Sequence, residues 1–347
     1  MEKLKWLALL SAPLFALCAS SVGGTMEAGI SPAFGVNTPG GWRSAKHRCG
    51  FDTSRHKTCL VKVAKDVELE VLDWGGVGEP LVLLSGLGNT AHVYDEFAYQ
   101  FTDKFHVLGI TRRGYGKSSQ PADGYDIATR AEDDIKVLDH FKIGKAIFAG
   151  HSISGVELSR LGAHYPDRVA KLVYLDAYEY GPSYFEMLKH TAPPAPESTM
   201  IDKLSPQHLS AYYARVFGFR LPTTDFSNTV ELNRRGNLVN NVTPADIGAK
   251  ILFGSGLAEF DLITAPTLAF FARPQATPPY VWDLPEDQQE QYKTFAAAHA
   301  TWQAGVMQRL SDGVKGSQVV EIPDAAHYLF ITNESKVIQL MREFLLK

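Results

Sequence analysis

The clearest pattern along the chain is a series of short, continuous apolar runs, which are typical of strands buried on both faces of a sheet. These runs lie at residues 80–84, 105–110, 145–149, 171–175, 266–271 and 318–322. Apolar residues at helical spacing separate them, around Ala131 to Phe141, Val156 to Ala163 and Glu286 to Leu310. A closing helix places Val337, Ile338, Met341 and Phe344 on one face. The alternation predicts an α/β fold, a mostly parallel central sheet with helices on both faces.

Two segments depart from this alternation. Residues 60–74 alternate apolar and polar side chains, which predicts antiparallel strands with one solvent-facing side. Residues 181–263 are rich in Pro and aromatic residues with short helical patterns, so we expect an inserted, mainly helical cap. The core then comprises residues 61–180 and 264–347, preceded by an irregular extension at 23–60.

The first 22 residues have the pattern of a signal peptide. Lys3 and Lys5 precede an apolar stretch from Trp6 to Ala19, which small residues follow. The stretch is too short for a comfortable membrane span, so we expect a secreted or periplasmic protein without stable membrane insertion after signal removal. A formal net charge of −4 over 347 residues gives no reason to expect a nucleic-acid partner.

Export bears on the cysteines, because Cys18 leaves with the signal and only Cys49 and Cys59 remain. In an oxidising compartment they predict one disulfide, which would stabilise the fold by roughly 2–3 kcal/mol. The alternative is a metal site built from His47, Cys49, His56 and Cys59. Its spacings match no familiar zinc pattern and basic residues surround it, so we expect no metal. No phosphate loop or dinucleotide motif appears, and we expect no cofactor.

The candidate chemistry lies where the run at 145–149 meets a helix, in the stretch Gly150-His151-Ser152-Ile153-Ser154-Gly155. A serine in such a tight strand-to-helix turn projects its Oγ above the sheet. The pattern G-x-S-x-G is met except at its last position, where Ser154 stands one place before the glycine.

Four features in order resemble the α/β-hydrolase superfamily, in its serine-nucleophile, esterase-like branch with a helical lid. They are Ser85-Gly86-Leu87-Gly88, Arg113-Gly114-Tyr115-Gly116-Lys117-Ser118, the Ser152 turn, and Ile322-Pro323-Asp324-Ala325-Ala326-His327. The resemblance implies Ser152 as nucleophile and His327 as its base. It also implies an oxyanion hole formed by the backbone N–H groups of Ile153 and Leu87.

The acid of the triad is the open question. The usual family position follows the run at 266–271, but residues 272–275 carry no carboxylate. Some family members place the acid after the preceding strand, where this chain has Asp176. Asp176 is therefore our candidate, with Asp283 as its rival through a longer loop.

A serine nucleophile disfavours epoxide opening and dehalogenation, which use an aspartate at this position. The resemblance thus implies hydrolysis of a small-molecule ester, lactone or thioester through an acyl-enzyme. The lid aromatics, such as Tyr212, Tyr213, Phe217, Phe219 and Phe226, either contact an apolar part of the substrate or form only the lid's own core. The alternative function is a non-hydrolytic protein of the same fold, a lyase or a ligand-binding module.

Overall fold

The computed structural model describes residues 54–347 and the backbone of residues 48–51. Within them, nine strands form one sheet. The strands are β1 Arg48–Phe51, β2 Lys57–Ala64, β3 Val67–Gly75, β4 Glu79–Leu84, β5 Phe105–Ile110, β6 Ala146–His151, β7 Val169–Leu175, β10 Thr267–Ala272 and β11 Gln318–Ile322. Their order in the sheet is β1-β2-β3-β5-β4-β6-β7-β10-β11. Neighbours from β1 to β5 are antiparallel, and all pairs from β5 to β11 are parallel. The predicted α/β fold with a mostly parallel sheet is confirmed.

Helices cover both faces of this sheet. The helices are α1 Ile127–His140, α2 Ser154–His164, α3 Pro182–Met187, α4 Pro206–Phe217, α5 Thr223–Thr229, α6 Ile247–Phe253, α7 Glu286–Gly313, α8 Leu329–Thr332 and α9 Glu334–Leu345. In the described part of the chain, no helix has both the length and the apolar character needed to cross a bilayer.

Alternate residues of each buried strand enter opposite cores, because successive side chains of a strand point to opposite faces. In β4, Val82 and Leu84 join a core with α1, α2 and α7. Leu81 and Leu83 join a second core with α9 and lid helix α4. This two-sided burial is why the parallel strands are apolar throughout.

The segment before residue 60 is more regular than expected. The irregular extension predicted for 23–60 is wrong at its end, since Arg48–Phe51 and Lys57–Ala64 are antiparallel strands. Residues 1–47, including the predicted signal peptide, lie outside the described residues.

The register places Cys49 opposite Cys59. Directly opposed residues of antiparallel strands have the Cα separation that a disulfide requires, so the bridge remains a prediction that this backbone allows.

Residues 181–263, here called the lid segment, contain α3 to α6 and a small hairpin of β8 Val230–Leu232 and β9 Leu238–Asn241. Its main helix, α4, has well-defined ends. The Ser205 side chain accepts from the N–H of His208, Pro206 begins the helix, and Gly218 at φ +84° ends it.

A buried polar cluster attaches the Ala91–Tyr94 helical turn to β3. His92 Nδ1 lies 3.3 Å from Asp95 Oδ2, and His92 Nε2 lies 3.6 Å from Glu70 Oε1. Burial disfavours the charged imidazole, but hydrogen bonds and charges of Asp95 and Glu70 outweigh it and raise the pKa of His92 to about 9. His56 also contacts Asp95, at 3.1 Å, and Lys117 lies 3.3 Å from Glu70.

Stability should therefore fall as the solution becomes alkaline. The folded-state pKa of His92 lies above its unfolded value, so its contribution is complete below pH 6.5 and is lost as the pH rises through about 9. We expect wild-type protein to lose on the order of 3 kcal/mol of unfolding free energy more than His92→Gln between pH 6 and pH 9.5. Urea unfolding at both pH values measures this, with His190→Gln at an exposed position as control. Equal losses in wild type and His92→Gln would contradict the assignment.

Candidate active site

Ser152 lies in the turn between β6 and α2 with φ +56°, a conformation that is strained for a residue with a side chain. Close packing of the surrounding backbone holds Ser152 in this conformation. A Cβ at Gly155 would lie 2.5 Å from backbone atoms of Tyr178. The Tyr178 N–H donates to the carbonyl of Ser152 at 3.1 Å. A glycine is therefore required at position 155, one place after the last position of the motif, because the loop after β7 contacts the backbone there.

Ser154, which stands where the usual motif has glycine, has a function of its own in this turn. Its Oγ donates to the Ser85 carbonyl at 2.7 Å and accepts from Arg112 Nη2 at 2.8 Å. Arg112 Nη2 also donates to the Ser85 carbonyl, at 2.9 Å. The departure from the motif therefore connects the nucleophile turn to the loop after β4.

Arg112 is a site residue whose role the sequence analysis missed. Its guanidinium is buried and binds both carboxylate oxygens of Glu157 on α2, each at 2.6 Å. Arg130 binds the same carboxylate at 2.9 Å. Despite burial, these two charges lower the pKa of Glu157. The sequence did contain one signal for the role of Arg112. This residue lies two positions after β5, and a charged side chain at the carboxyl end of a strand is unusual in a buried region.

His327 and Asp176 are brought together by the structure. His327 Nδ1 lies 2.6 Å from Asp176 Oδ2. Asp176 is buried, follows β7 at φ +48°, and its Oδ1 accepts from the Ala272 N–H at 2.8 Å and from the Tyr178 hydroxyl. The rival Asp283 is exposed at the end of the Pro279–Asp283 helical turn. On geometry, Asp176 is the carboxylate that orients His327.

Ser152 Oγ contacts a hydroxyl that the sequence did not point to. It lies 3.3 Å from the Tyr180 hydroxyl. Among the hydrogen bonds of the described residues there is none between Ser152 Oγ and His327 Nε2. In unliganded enzymes such catalytic bonds are often long and tighten with substrate. Burial raises the pKa of Tyr180, so this hydroxyl is protonated at neutral pH.

The loop 85–90, here called the oxyanion loop, lies against the nucleophile turn. A Cβ at Gly86 would lie 2.6 Å from His151 and 3.3 Å from Cβ of Ser152, so glycine permits this approach. Leu87 follows this glycine along the chain, and Ile153 follows Ser152 and precedes α2. The two backbone segments that carry the predicted oxyanion donors therefore approach each other at Gly86 and Ser152, and the donor role stays a prediction.

Two histidines near the site remain neutral. Burial, and then the charge that His327 can carry, lower the pKa of His151, whose Nε2 lies 3.0 Å from the His327 carbonyl oxygen. Burial lowers the pKa of His299 on α7 to about 4. Neither competes with His327 as a base near neutral pH.

The lid aromatics pack mainly on one another. Their rings form a connected set that reaches Tyr280 and Tyr328, and this set contains Tyr212, Tyr213, Phe217, Phe219 and Phe226. All five are buried. They form the lid's core. Another group of aromatic side chains begins at Tyr180, whose hydroxyl contacts Ser152 Oγ, and continues through Tyr184 and Trp302.

His56, His92 and Asp95 are described residues whose donor atoms lie within 4.8 Å of one another, close enough for a metal ion. Both Asp95 oxygens already accept hydrogen bonds, however. Trp74 Nε1 donates to Oδ1 and Ser54 Oγ to Oδ2, each at 3.2 Å. This donor set fits a hydrogen-bonded cluster. The alternative metal group considered above includes His47 and the Cys49 side chain, which lie outside the described residues.

Comparisons with known proteins agree with this geometry. A model of the alpha/beta hydrolase fold family matches residues 79–218. The 3-oxoadipate enol-lactonase 2 of Acinetobacter baylyi is 32% identical over 111 residues, 32% of this chain and 42% of that enzyme. The AB hydrolase superfamily protein YisY of Bacillus subtilis is 26% identical over 300 residues, 82% of this chain and 97% of that protein.

Among solved structures, that of E-2-(acetamidomethylene)succinate hydrolase superposes with a TM-score of 0.60 at 18% identity, covering 84% of this chain and 100% of that one. At such identity the likeness concerns the fold. For several curated relatives the matched segment is only 37–42% of the relative's own length. The motif order, the sheet topology and these matches together show that the chain has the α/β-hydrolase fold.

Proposed function

We propose that the protein is an exported serine hydrolase that cleaves a small carboxylic ester, lactone or thioester through an acyl-enzyme on Ser152. The observation that carries the proposal is the 2.6 Å contact between His327 Nδ1 and buried Asp176, at the sheet edge where Ser152 lies in its strained turn. A base oriented by a carboxylate beside a serine is the arrangement that nucleophilic acyl transfer needs.

The reaction follows from the roles of these side chains. Ser152 Oγ attacks the acyl carbon while His327 Nε2 takes its proton, and Asp176 stabilises the imidazolium that results. The N–H groups of Leu87 and Ile153 bind the oxyanion, where the N-terminal end of α2 also favours negative charge. The oxyanion collapses, the bond from the acyl carbon to the leaving oxygen or sulfur breaks, and His327 gives its proton to the leaving alcohol or thiol. Water, deprotonated by His327, then attacks the acyl carbon. The acyl–Oγ bond breaks, His327 returns the proton to Ser152 Oγ, and the acid leaves.

The enol-lactonase relative supports the lactone among these substrates. Tyr180, whose hydroxyl contacts Ser152 Oγ, belongs to a cluster of aromatic side chains that supports an apolar group on the substrate. Tyr180 contacts Tyr184 edge-to-face at 4.7 Å, and Tyr184 lies 5.1 Å from Trp302 between ring centres. Such a cluster next to the nucleophile favours an apolar acyl or alcohol group over a highly charged one.

Loss of the nucleophile should abolish turnover. We expect purified protein to hydrolyse a short-chain nitrophenyl ester or a simple lactone, and Ser152→Ala to lower kcat by about 10⁶-fold, to background. Initial rates measure this, and circular dichroism checks folding. Ser159→Ala, on the helix α2 that follows the turn, is the matched control. A folded wild type that releases no acid from any ester, thioester or lactone would favour the lyase or ligand-binding alternative.

Substitution of the two candidate acids should have clearly different effects on kcat. Asp176→Asn keeps the shape of the side chain but changes its hydrogen bond with His327, so we expect kcat to fall about 10⁴-fold. Asp283→Asn changes an exposed side chain, and its rate should stay within about twofold of wild type. Steady-state kinetics of both variants is the measurement. Normal turnover in Asp176→Asn with loss in Asp283→Asn would transfer the role to Asp283.

Export makes a prediction about the mature chain. We expect it to begin near residues 19–25 and to carry one Cys49–Cys59 bridge. Intact mass before and after reduction, with thiol titration of protein from its native compartment, measures both. An intact N-terminus would overturn the signal peptide, and two free thiols would overturn the bridge.

A further inference from the structure

The lid segment holds a buried carboxylate that the proposed reaction does not use. Asp225, on α5, is 1% exposed. Its Oδ2 accepts from Asn89 Nδ2 at 2.8 Å, and its Oδ1 accepts from the Thr90 N–H at 2.8 Å and from Thr90 Oγ1 at 2.7 Å. All three hydrogen bonds thus lead to the end of the oxyanion loop.

That loop is held at both ends. The Ser85 carbonyl receives hydrogen bonds from Arg112 and Ser154, which belong to the catalytic core. At the other end, the Asn89 N–H donates to the Gly86 carbonyl at 3.4 Å and closes the turn that contains Leu87. Ser85 Oγ also donates to the Asn89 carbonyl, at 3.2 Å, and Asp225 holds this second end from the lid side, since its carboxylate binds both Asn89 and Thr90.

The Asn89 side chain extends the connection to the catalytic base. Its Oδ1 accepts from the Tyr328 hydroxyl at 2.9 Å, and Tyr328 directly follows His327. Because Nδ2 faces Asp225 and Oδ1 faces Tyr328, the orientation of this amide is fixed by its two partners. One side chain therefore joins the lid, the oxyanion loop and the histidine loop.

A carboxylate in this position is costly unless it has a partner. Burial raises the pKa of Asp225 to about 6, although hydrogen bonds from Thr90 and Asn89 oppose the rise. An amide would fill the same space with one oxygen fewer. Its NH₂ group would then face the Asn89 NH₂ group, donor against donor.

We propose that Asp225 is a positioning residue through which the lid segment holds the Leu87 N–H in place for the oxyanion. The inference rests on the proposed function. Removal of one oxyanion donor costs about 10²–10³-fold in kcat, so a displaced donor should cost somewhat less. We expect Asp225→Asn to lower kcat about 10- to 100-fold on a short-chain nitrophenyl ester with little change in KM, because the donor acts on the transition state.

The lid offers a matched control in Asp202. This carboxylate is also buried, at 4% exposure, and accepts from the Thr199 N–H at 2.8 Å and from Arg215 at 3.0 Å. Asp202→Asn makes the same chemical change in the same segment, at a carboxylate whose hydrogen bonds stay within the lid. Its kcat should stay within about twofold of wild type even if its Tm falls.

A reciprocal exchange distinguishes positioning from simple loss of stability. In the double variant Asn89→Asp/Asp225→Asn the acceptor and donor change sides, so a complementary pair forms again and Tyr328 keeps an acceptor. We expect this double variant to recover most of the lost kcat. Asn89→Ala, which removes the bond from the other side, should reproduce the kcat loss of Asp225→Asn and serves if that variant does not fold.

Steady-state kinetics on the five proteins, with hydrogen exchange of residues 85–94, decides the matter. Support consists of a kcat loss confined to the Asp225→Asn and Asn89→Ala variants, faster exchange in the oxyanion loop, and rescue in the double variant. An Asp225→Asn protein with normal kcat, with a loss equal to that of Asp202→Asn, or without rescue overturns the inference. Wild-type protein without esterase or lactonase turnover overturns the proposed function instead, and this is seen before any variant is compared.

Discussion

The arrangement of the site depends on one buried cation. Arg112 follows the end of β5 and binds the Ser85 carbonyl, Ser154 and Glu157, so a single guanidinium joins the loop after β4 to α2. Its fixed planar fork suits two carboxylate oxygens and a carbonyl at once, which a lysine would not match. Without this partner the buried Glu157 would keep only Arg130 as a counter-charge, so the interaction is expensive to disturb. The nucleophile turn and the oxyanion loop are therefore positioned together.

The parallel sheet supplies the second constraint. Strands that run the same way deliver their carboxyl ends to one edge, and Ser152, Asp176 and His327 all follow such ends or the loop beyond one. Their distances along the sequence, up to 175 residues, do not matter for this purpose. The strand order agrees with the choice of Asp176 as candidate acid, since β7 lies between β6 and β10. The lid adds a connection of its own through Asp225, which makes it part of the support of the loop.

Much of the fold could be predicted from the sequence, because parallel strands that are buried on both faces consist of continuous apolar runs. The runs at 105–110 and 318–322 have the bounds of β5 and β11, and the other runs fall within two residues of theirs. The strand Arg48–Phe51 was missed because it is short and shows no alternation. The hydrogen bond between Asp225 and Asn89 joins residues that are 136 positions apart, so no local sequence pattern predicts it. Aromatic content likewise could not tell a substrate-facing lid from a packed one.

The same sheet edge carries residues in the left-handed region that are not glycine, among them Ser152 at φ +56°, Asp176 at φ +48° and Asp324 at φ +56°. Each such residue costs on the order of 1 kcal/mol that a glycine would not incur. Selection for heat resistance would conflict with selection for activity at these positions. Ser152 and Asp176 take part in the proposed reaction, so substitution by glycine at either position would relieve the strain but remove a side chain on which that reaction depends. Asp324 lies outside that group, and its position is where a lineage under thermal selection is free to gain stability without loss of turnover.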